Sequence, residues 1–226
     1  MSGMPVVAPS TQEQIVRAAE RLFARHGIEG VSLRQIGAAA GNGNNSAVQY
    51  HFGSKDQLIQ AIFEDRLPRL HERRKLLIAE RRPNDLRSWV ECQLRAVMEQ
   101  SEQPGSHYVS FVAMLRQYGR YDVFERLPAE IRDSTRAFHE RLSTLLPHIA
   151  KPLRTHRITR AMAFIVDAAA DRERARASGQ HVLPFAVDVA DLLDGMVGFL
   201  EAPVSASARA ALDDTDAASL TWPMFP

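Results

Sequence analysis

A chain of 226 residues with 45% apolar and 24% charged side chains can close one large or two small hydrophobic cores, which excludes a disordered polymer. Its net charge of +1 is unevenly spread: residues 1–82 hold 12 Lys and Arg against 8 Asp and Glu (+4), and residues 83–226 hold 16 against 19 (−3), which argues against a uniformly basic architectural protein. One cysteine, Cys92, excludes a disulfide framework and a cysteine zinc cluster and reads as a buried, inert thiol.

The opening MSGMPVVAPS lacks the charged start and apolar stretch of a signal peptide. No run approaches the ~18 apolar residues of a membrane span, so a cytoplasmic protein without a membrane partner is expected. A first helix is expected from Thr11, with Thr11 and Gln14 as its capping box. It carries Ile15, Ala18, Ala19, Leu22 and Phe23 on one stripe and stops at Gly27, while Arg17, Arg21 and Arg25 lie off the stripe on a solvated face.

Ser32 and Gln35 form a second capping box ahead of a short helix whose inner face is Leu33, Ile36, Ala39 and Ala40. Gly41 ends it, since glycine accepts the left-handed conformation that turns the chain. After Asn42 to Asn45, Ser46 opens another short helix, with Ala47 and Val48 turned inward and Gln49, Tyr50 and His51 around the rest. Two short helices joined by a tight turn make a helix-turn-helix, whose second helix fits the major groove of DNA. Gln49 suits a bidentate contact to adenine; Asn44, Asn45 and Ser46 offer short polar groups at the helix entrance. Ser54 and Gln57 repeat the capping signal and put Lys55 in a first turn, where it can hold a backbone phosphate, as can Arg34 from the preceding helix.

The stretch from Ile15 to Ala61, AERLFARHGIEGVSLRQIGAAAG followed by SAVQYHFGSKDQLIQAI, resembles the N-terminal DNA-binding domain of the tetracycline-repressor (TetR) family of bacterial transcriptional regulators. The resemblance implies an all-α homodimer: an N-terminal three-helix helix-turn-helix domain (residues 11–60) and a larger C-terminal helical ligand-binding and dimerisation domain (residues 61–203). A small molecule bound by the second domain would release an operator. Residues 204–226 are expected to be a flexible tail. Two departures mark this chain. Between Gly41 and Tyr50 it is one residue longer than the commonest pattern, and Gln49 stands where the family often has tyrosine.

From Lys55 the helical pattern continues through Leu58, Ile59, Ile62 and Phe63 towards Arg81, with Pro68 expected to kink or break it. Arg69, Arg73, Arg74, Lys75, Arg81 and Arg82 read as a solvent face paired with Glu72 and Glu80. Beyond Arg82 the breakers Pro83 to Asp85, Gln103 to Gly105, Tyr118 to Arg120, Pro147 to Pro152 and Ser178 to Pro184 mark turns between further helices. The family resemblance raises an effector pocket among Trp89, His107, Phe111, Met114, Leu115, Tyr118, Phe138 and Leu142, where spacing alone says core. Gln117 and His139 join His107 as groups that could orient an apolar or amphipathic effector.

The last two long helices offer Ile158, Met162 and Ile165, then Phe185, Val189, Leu192, Met196 and Leu200, as a four-helix dimer interface, with Gly195 and Gly198 permitting close approach. No nucleophile elbow or H-E-x-x-H occurs, and the glycine-containing run at Gly41 to Ser46 follows a helix where a nucleotide loop needs a strand. No enzyme activity, metal or cofactor is expected. The alternative is an all-α small-molecule-binding protein or enzyme with no operator function.

Overall fold

The computed structural model describes residues 10–41 and 47–213. Eleven helices and no strand occur among the described residues, in agreement with the all-α expectation. The first helix, α1 (Thr11–His26), is capped one residue earlier than the sequence suggests. The Ser10 hydroxyl accepts from the Glu13 N–H at 3.2 Å and the Glu13 carboxylate accepts from the Ser10 N–H at 2.7 Å. A carboxylate in the first turn gives a charge-assisted bond and suits the positive end of the helix, which Gln14 could not match. Its stripe is buried as expected, apart from half-buried Leu22.

Ser32 and Gln35 cap α2 (Leu33–Ala39) reciprocally, as their spacing predicts. Its inner face differs by one position: Gly37 is buried and Ala39 exposed. The reason is close approach, because a Cβ on Gly37 would lie 3.3 Å from Val48 Cγ2 on α3 (Ala47–Phe52). A side chain there would press Val48 and α3 away by a few tenths of an ångström. Gly41, at φ +75°, makes the turn out of α2. Asn44, Asn45 and Ser46 lie outside the described residues.

Ser54 caps α4 (Lys55–Arg81), 27 residues that run through Pro68 unbroken. The proline removes one donor, yet Phe63, Leu67 and His71 bury that stretch against the body, and tertiary packing decides where a single bond is at stake. The basic run is the expected solvent face at Arg69, Lys75, Arg81 and Arg82, but Arg74 is buried and Arg73 half-buried. The ion pairs differ from those expected: Arg69 pairs with Asp65, Arg73 with Glu99, Arg81 with Glu91 and Lys75 with Glu130, in place of Glu72 and Glu80.

The remaining helices are α5 (Leu86–Ser101), α6 (Tyr108–Gln117), α7 (Asp122–Glu125), α8 (Ala129–Thr144), α9 (Lys151–Ala177), α10 (Phe185–Glu201) and α11 (Ala206–Asp213). Turns fall at the expected breakers, except that Pro152 sits in the first turn of α9, where a missing N–H costs nothing. The stretch read as a tail from residue 204 contains α11, and residues 214–226 lie outside the described residues. No described helix is long and apolar enough to cross a membrane.

One core runs through the molecule. Phe63 of α4 meets Phe111 and Tyr108 of α6 and Phe124 of α7, with ring centroids 5.7, 6.2 and 5.7 Å away, and Phe111 stacks on Phe23 of α1 at 6.3 Å. The boundary expected at residues 60 and 61 therefore falls inside α4, and α1 packs directly on α6.

Candidate nucleic-acid interface and its links to the helical body

Helix α3 is held by one side. Val48 is fully buried against α2, Ala47 is half-buried, and His51 is half-buried with Nδ1 3.4 Å from the Gln12 amide nitrogen. The opposite side carries Gln49, exposed, and Tyr50, 85% exposed. Gln49 and Tyr50 thus form an outward face on a helix whose other face is fixed in the core. Arg34 is exposed on α2.

Lys55 is more constrained than its sequence position suggests. Its ammonium donates to the Ile28 carbonyl at 2.8 Å and lies 3.7 Å from the Glu29 carboxylate, so it also staples the α1–α2 loop to the start of α4. An ammonium has three N–H donors, and the Ile28 bond uses one.

Two links tie these helices to the body. Glu20 of α1, only 2% exposed, accepts from Arg66 Nε at 2.8 Å and Nη2 at 3.0 Å, and from the His107 N–H at 2.8 Å. Burial works against the Arg66 charge, but the hydrogen bonds and charge of Glu20 outweigh it and hold the guanidinium above its ordinary pKa. From α9, Glu173 accepts from the Ser110 N–H at 2.8 Å and the Val109 N–H at 3.4 Å. Burial pushes this carboxyl up, against the hydrogen bonds of Ser110. The amino end of α6 thus rests between a carboxylate of α1 and one of α9. The second link is on the surface, where Asp56 at the start of α4 lies 3.4 Å from both Arg120 and Arg126.

Sequence reading missed both carboxylates. The available signal at Glu20 was its place between Val16 and Phe23, on a second buried face of α1 that the single-stripe reading did not draw.

The expected effector residues are not brought to one cavity. Phe111, Leu115 and Leu142 are fully enclosed in the core. Met114 and Tyr118, with Gln117, line an open groove of about 750 Å³ between α1, α6 and α9 that also holds Arg25 and Arg160. His107 lines a smaller groove beside Pro104 and Glu173. Trp89 and Phe138 meet at 6.0 Å between α5 and α8.

The expected dimer residues need a sharper correction. Ile158, Met162, Ile165, Val189, Met196 and Leu200 are buried within the subunit, and Phe185 and Leu192 pack against the same core. What α9 and α10 turn outward is Phe164, 49% exposed, Phe199, 44% exposed, and Val187, with Gly195 and Gly198 between them. A Cβ on either glycine would meet nothing within 4 Å. Phe164, Phe199, Ala161 and Gly195 line an apolar groove of about 410 Å³.

Residues 15–62 match the family described as bacterial regulatory proteins, tetR family. The chain is 33% identical over 63 residues to the HTH-type transcriptional repressor AcnR of Corynebacterium efficiens, covering 28% of this chain and 33% of that one. To the HTH-type transcriptional regulator TtgR of Pseudomonas putida it is 37% identical over 65 residues, 29% of each chain. The match thus spans about a third of the length of the curated relatives. Among solved structures the chain is similar to a transcriptional regulator from Rhodococcus sp. Rha1, at 19% identity over 84% of this chain and 96% of that one, with a TM-score of 0.52. It is also similar to the fatty acid degradation regulator FadR from Bacillus halodurans, at 14% identity over 88% and 97%, with a TM-score of 0.54. At these identities the likeness concerns the fold alone. The capped α2, the Gly37–Val48 approach and the outward face of α3 all lie inside residues 15–62, the segment that matches the tetR family of bacterial regulatory proteins.

Proposed function

We propose that this chain is a sequence-specific DNA-binding transcriptional regulator, a repressor that holds a palindromic operator as a homodimer and answers to an apolar or amphipathic small molecule. The observation that carries this reading is the outward face of α3, where Gln49 and Tyr50 stand clear of a helix whose other side is fixed by Val48. Set into the major groove, that face gives Gln49 an adenine edge to read, and Arg34 and the free donors of Lys55 take flanking phosphates. Ala47 and His51 on its flanks add to the contact surface, and Asn44, Asn45 and Ser46, which precede α3 in the sequence and lie outside the described residues, are proposed as further DNA contacts. One such helix reads only a few base pairs, so two are needed, roughly 34–36 Å or a multiple apart.

The second copy docks on the outward face of α9 and α10. Phe164 and Phe199 bury there, and Gly195 and Gly198 let the partner's backbone come close. The effector acts by binding more tightly to the arrangement that cannot hold the operator; reversing the populations fully takes about 10⁴-fold in differential affinity, about 5.5 kcal/mol. α4 conveys the change, since it begins beside α3 and ends beside α5 and α8.

The test is selection of bound duplexes from a random pool at near-physiological salt. Recovery of a palindrome with half-sites about one turn or a small multiple apart is expected. Recovery of no enriched sequence would refute operator reading and leave a small-molecule-binding protein as the better account.

A further inference from the structure

Of the two arginines buried among the described residues, Arg172 is matched by carboxylates and Arg74 is not. Arg172 of α9 pairs with Glu102 at 2.7 Å and Asp188 at 2.8 Å, and Arg66 with Glu20. Arg74 of α4, 6% exposed, has no carboxylate partner among the described residues. Its neighbours are neutral: Gln93 Oε1 at 3.1 Å, Ser134 Oγ at 2.8 Å and His71 Nδ1 at 3.2 Å. Because arginine only donates, His71 must accept through Nδ1, which requires the neutral ring. Three acceptors leave two of the five guanidinium N–H donors over.

The nearest counterweight is the face of Phe138, whose centroid lies 5.4 Å from Arg74 Cζ. The same ring lies 6.0 Å from Trp89, whose buried indole N–H has no acceptor. On the helix that supplies Ser134 and Phe138, the Thr135 hydroxyl is also buried, 5% exposed, and without a partner. A buried cation without a counter-ion, on a ring that also meets an unpartnered indole N–H, is costly to maintain in a core, and a core that served packing alone would do better with apolar residues.

We propose that the junction of α4, α5 and α8 is a recognition site for an organic monoanion. A carboxylate pairs with Arg74 and accepts from the Trp89 N–H, and an attached aromatic or aliphatic body takes the place of the Phe138 ring. This inference rests on the effector reading above and gives the effector its chemical class. A single charge fits because the site buries a single cation. His71 and His139 are both held neutral at physiological pH, pulled down to about 4 by burial and by the charge of Arg74. Arg74 stays charged, although burial lowers it to about 10. Exposed Arg141, 5.5 Å from the Trp89 centroid, lies at the rim where an anion enters. Displacing Phe138 moves α8 against α4, the helix that reaches α3.

Calorimetric titration of the full chain with 4-phenylbutanoate and its neutral isostere 4-phenylbutanamide tests this. The carboxylate is expected to bind at least tenfold more tightly, Arg74→Met to bring the two to parity while the amide still binds, and Trp89→Phe to weaken the carboxylate several-fold and spare the amide. Equal binding of the two probes to the unaltered protein, or a preference that survives in Arg74→Met, overturns the anion site and leaves the effector reading standing. If Arg74→Met does not fold, Trp89→Phe decides, and equal loss for both probes overturns the site. No binding of any ω-phenylalkanoate or its amide, from two to eight carbons in the chain, overturns the effector reading as well.

Discussion

Glu20 is the side chain whose loss should be felt most widely, because it accepts from two elements at once. In Glu20→Leu the Arg66 guanidinium, largely buried, loses its two-pronged partner and the His107 N–H loses its acceptor. Breaking a buried ion pair from one side costs about 3–5 kcal/mol, and an orphaned backbone N–H about 1–3 kcal/mol. These penalties overlap, since solvent admitted to one relieves the other, so a loss of about 4 kcal/mol is expected. Against a typical domain stability of about 5–15 kcal/mol the variant stays folded but marginal. Arg66→Met should cost a similar amount, about 3–4 kcal/mol, because it strands the more deeply buried Glu20 carboxylate with only the His107 N–H as partner. In the double variant no buried charge of the pair remains, and its loss should fall about 2 kcal/mol short of the sum. Urea unfolding of the three variants measures each quantity. Single losses below about 1 kcal/mol, or losses that add within about 0.5 kcal/mol, would refute the coupling of α1, α4 and α6 through this carboxylate.

Other consequences are open to similar tests. Gln49→Ala should bring matched and scrambled operators closer in affinity, and equal losses on both in a binding titration would sink its reading role. Lys55→Ala should weaken binding to every duplex, flatten the salt dependence by about one phosphate, and cost about 1 kcal/mol of stability through the lost Ile28 bond; unchanged salt dependence would leave it only the structural role. Phe164→Glu with Phe199→Glu should yield monomers in sedimentation with unchanged helicity, and a persisting dimer would exclude this face. Acid should destabilise through His71, whose pKa falls from 6.5 in the unfolded chain to about 4 in the fold. The unfolded state then binds more protons below pH 6.5, so stability present at neutral pH drains away towards pH 4, by about 3 kcal/mol at most. Glu173, raised by burial, works in the opposite direction. Comparison of urea midpoints with His71→Gln isolates the histidine, and parallel pH profiles would refute the assignment.

Much of the N-terminal architecture was legible because its signals are local. Ser32 and Gln35 meet within one turn, Gly41 needs only its own φ, and Val48 is the one fully buried apolar side chain on a helix of six residues. Ser10 was passed over for Thr11 because both spacings satisfy the same rule, and only the strength of a carboxylate acceptor separates them. The polar links were not legible. Glu20 finds Arg66 46 residues away and His107 87 residues away, and no pattern in a window of a helix encodes a partner at that distance.

Periodicity reports that a face is buried and is silent about what buries it. On α9 the residues Ile158, Met162 and Ile165 recur at helical spacing and were read as the surface between subunits, yet they face the subunit's own core. The outward positions are few: Phe164 on α9, and Val187 and Phe199 on α10, set among Gly195, Gly198 and charged residues such as Asp191 and Asp194. The interface proposed there, made of two rings and two glycines, gives almost no hydrophobic signal, because it would rest on backbone approach more than on apolar area. Arg74 carries the converse lesson. Its charge makes it read as solvent-facing, and only its burial without a counter-ion among the described residues marks it as the anchor of the proposed anion site. In both places the strongest clue to function is the residue whose environment contradicts its type. Such residues are found by asking what each buried polar group and each exposed ring is paired with.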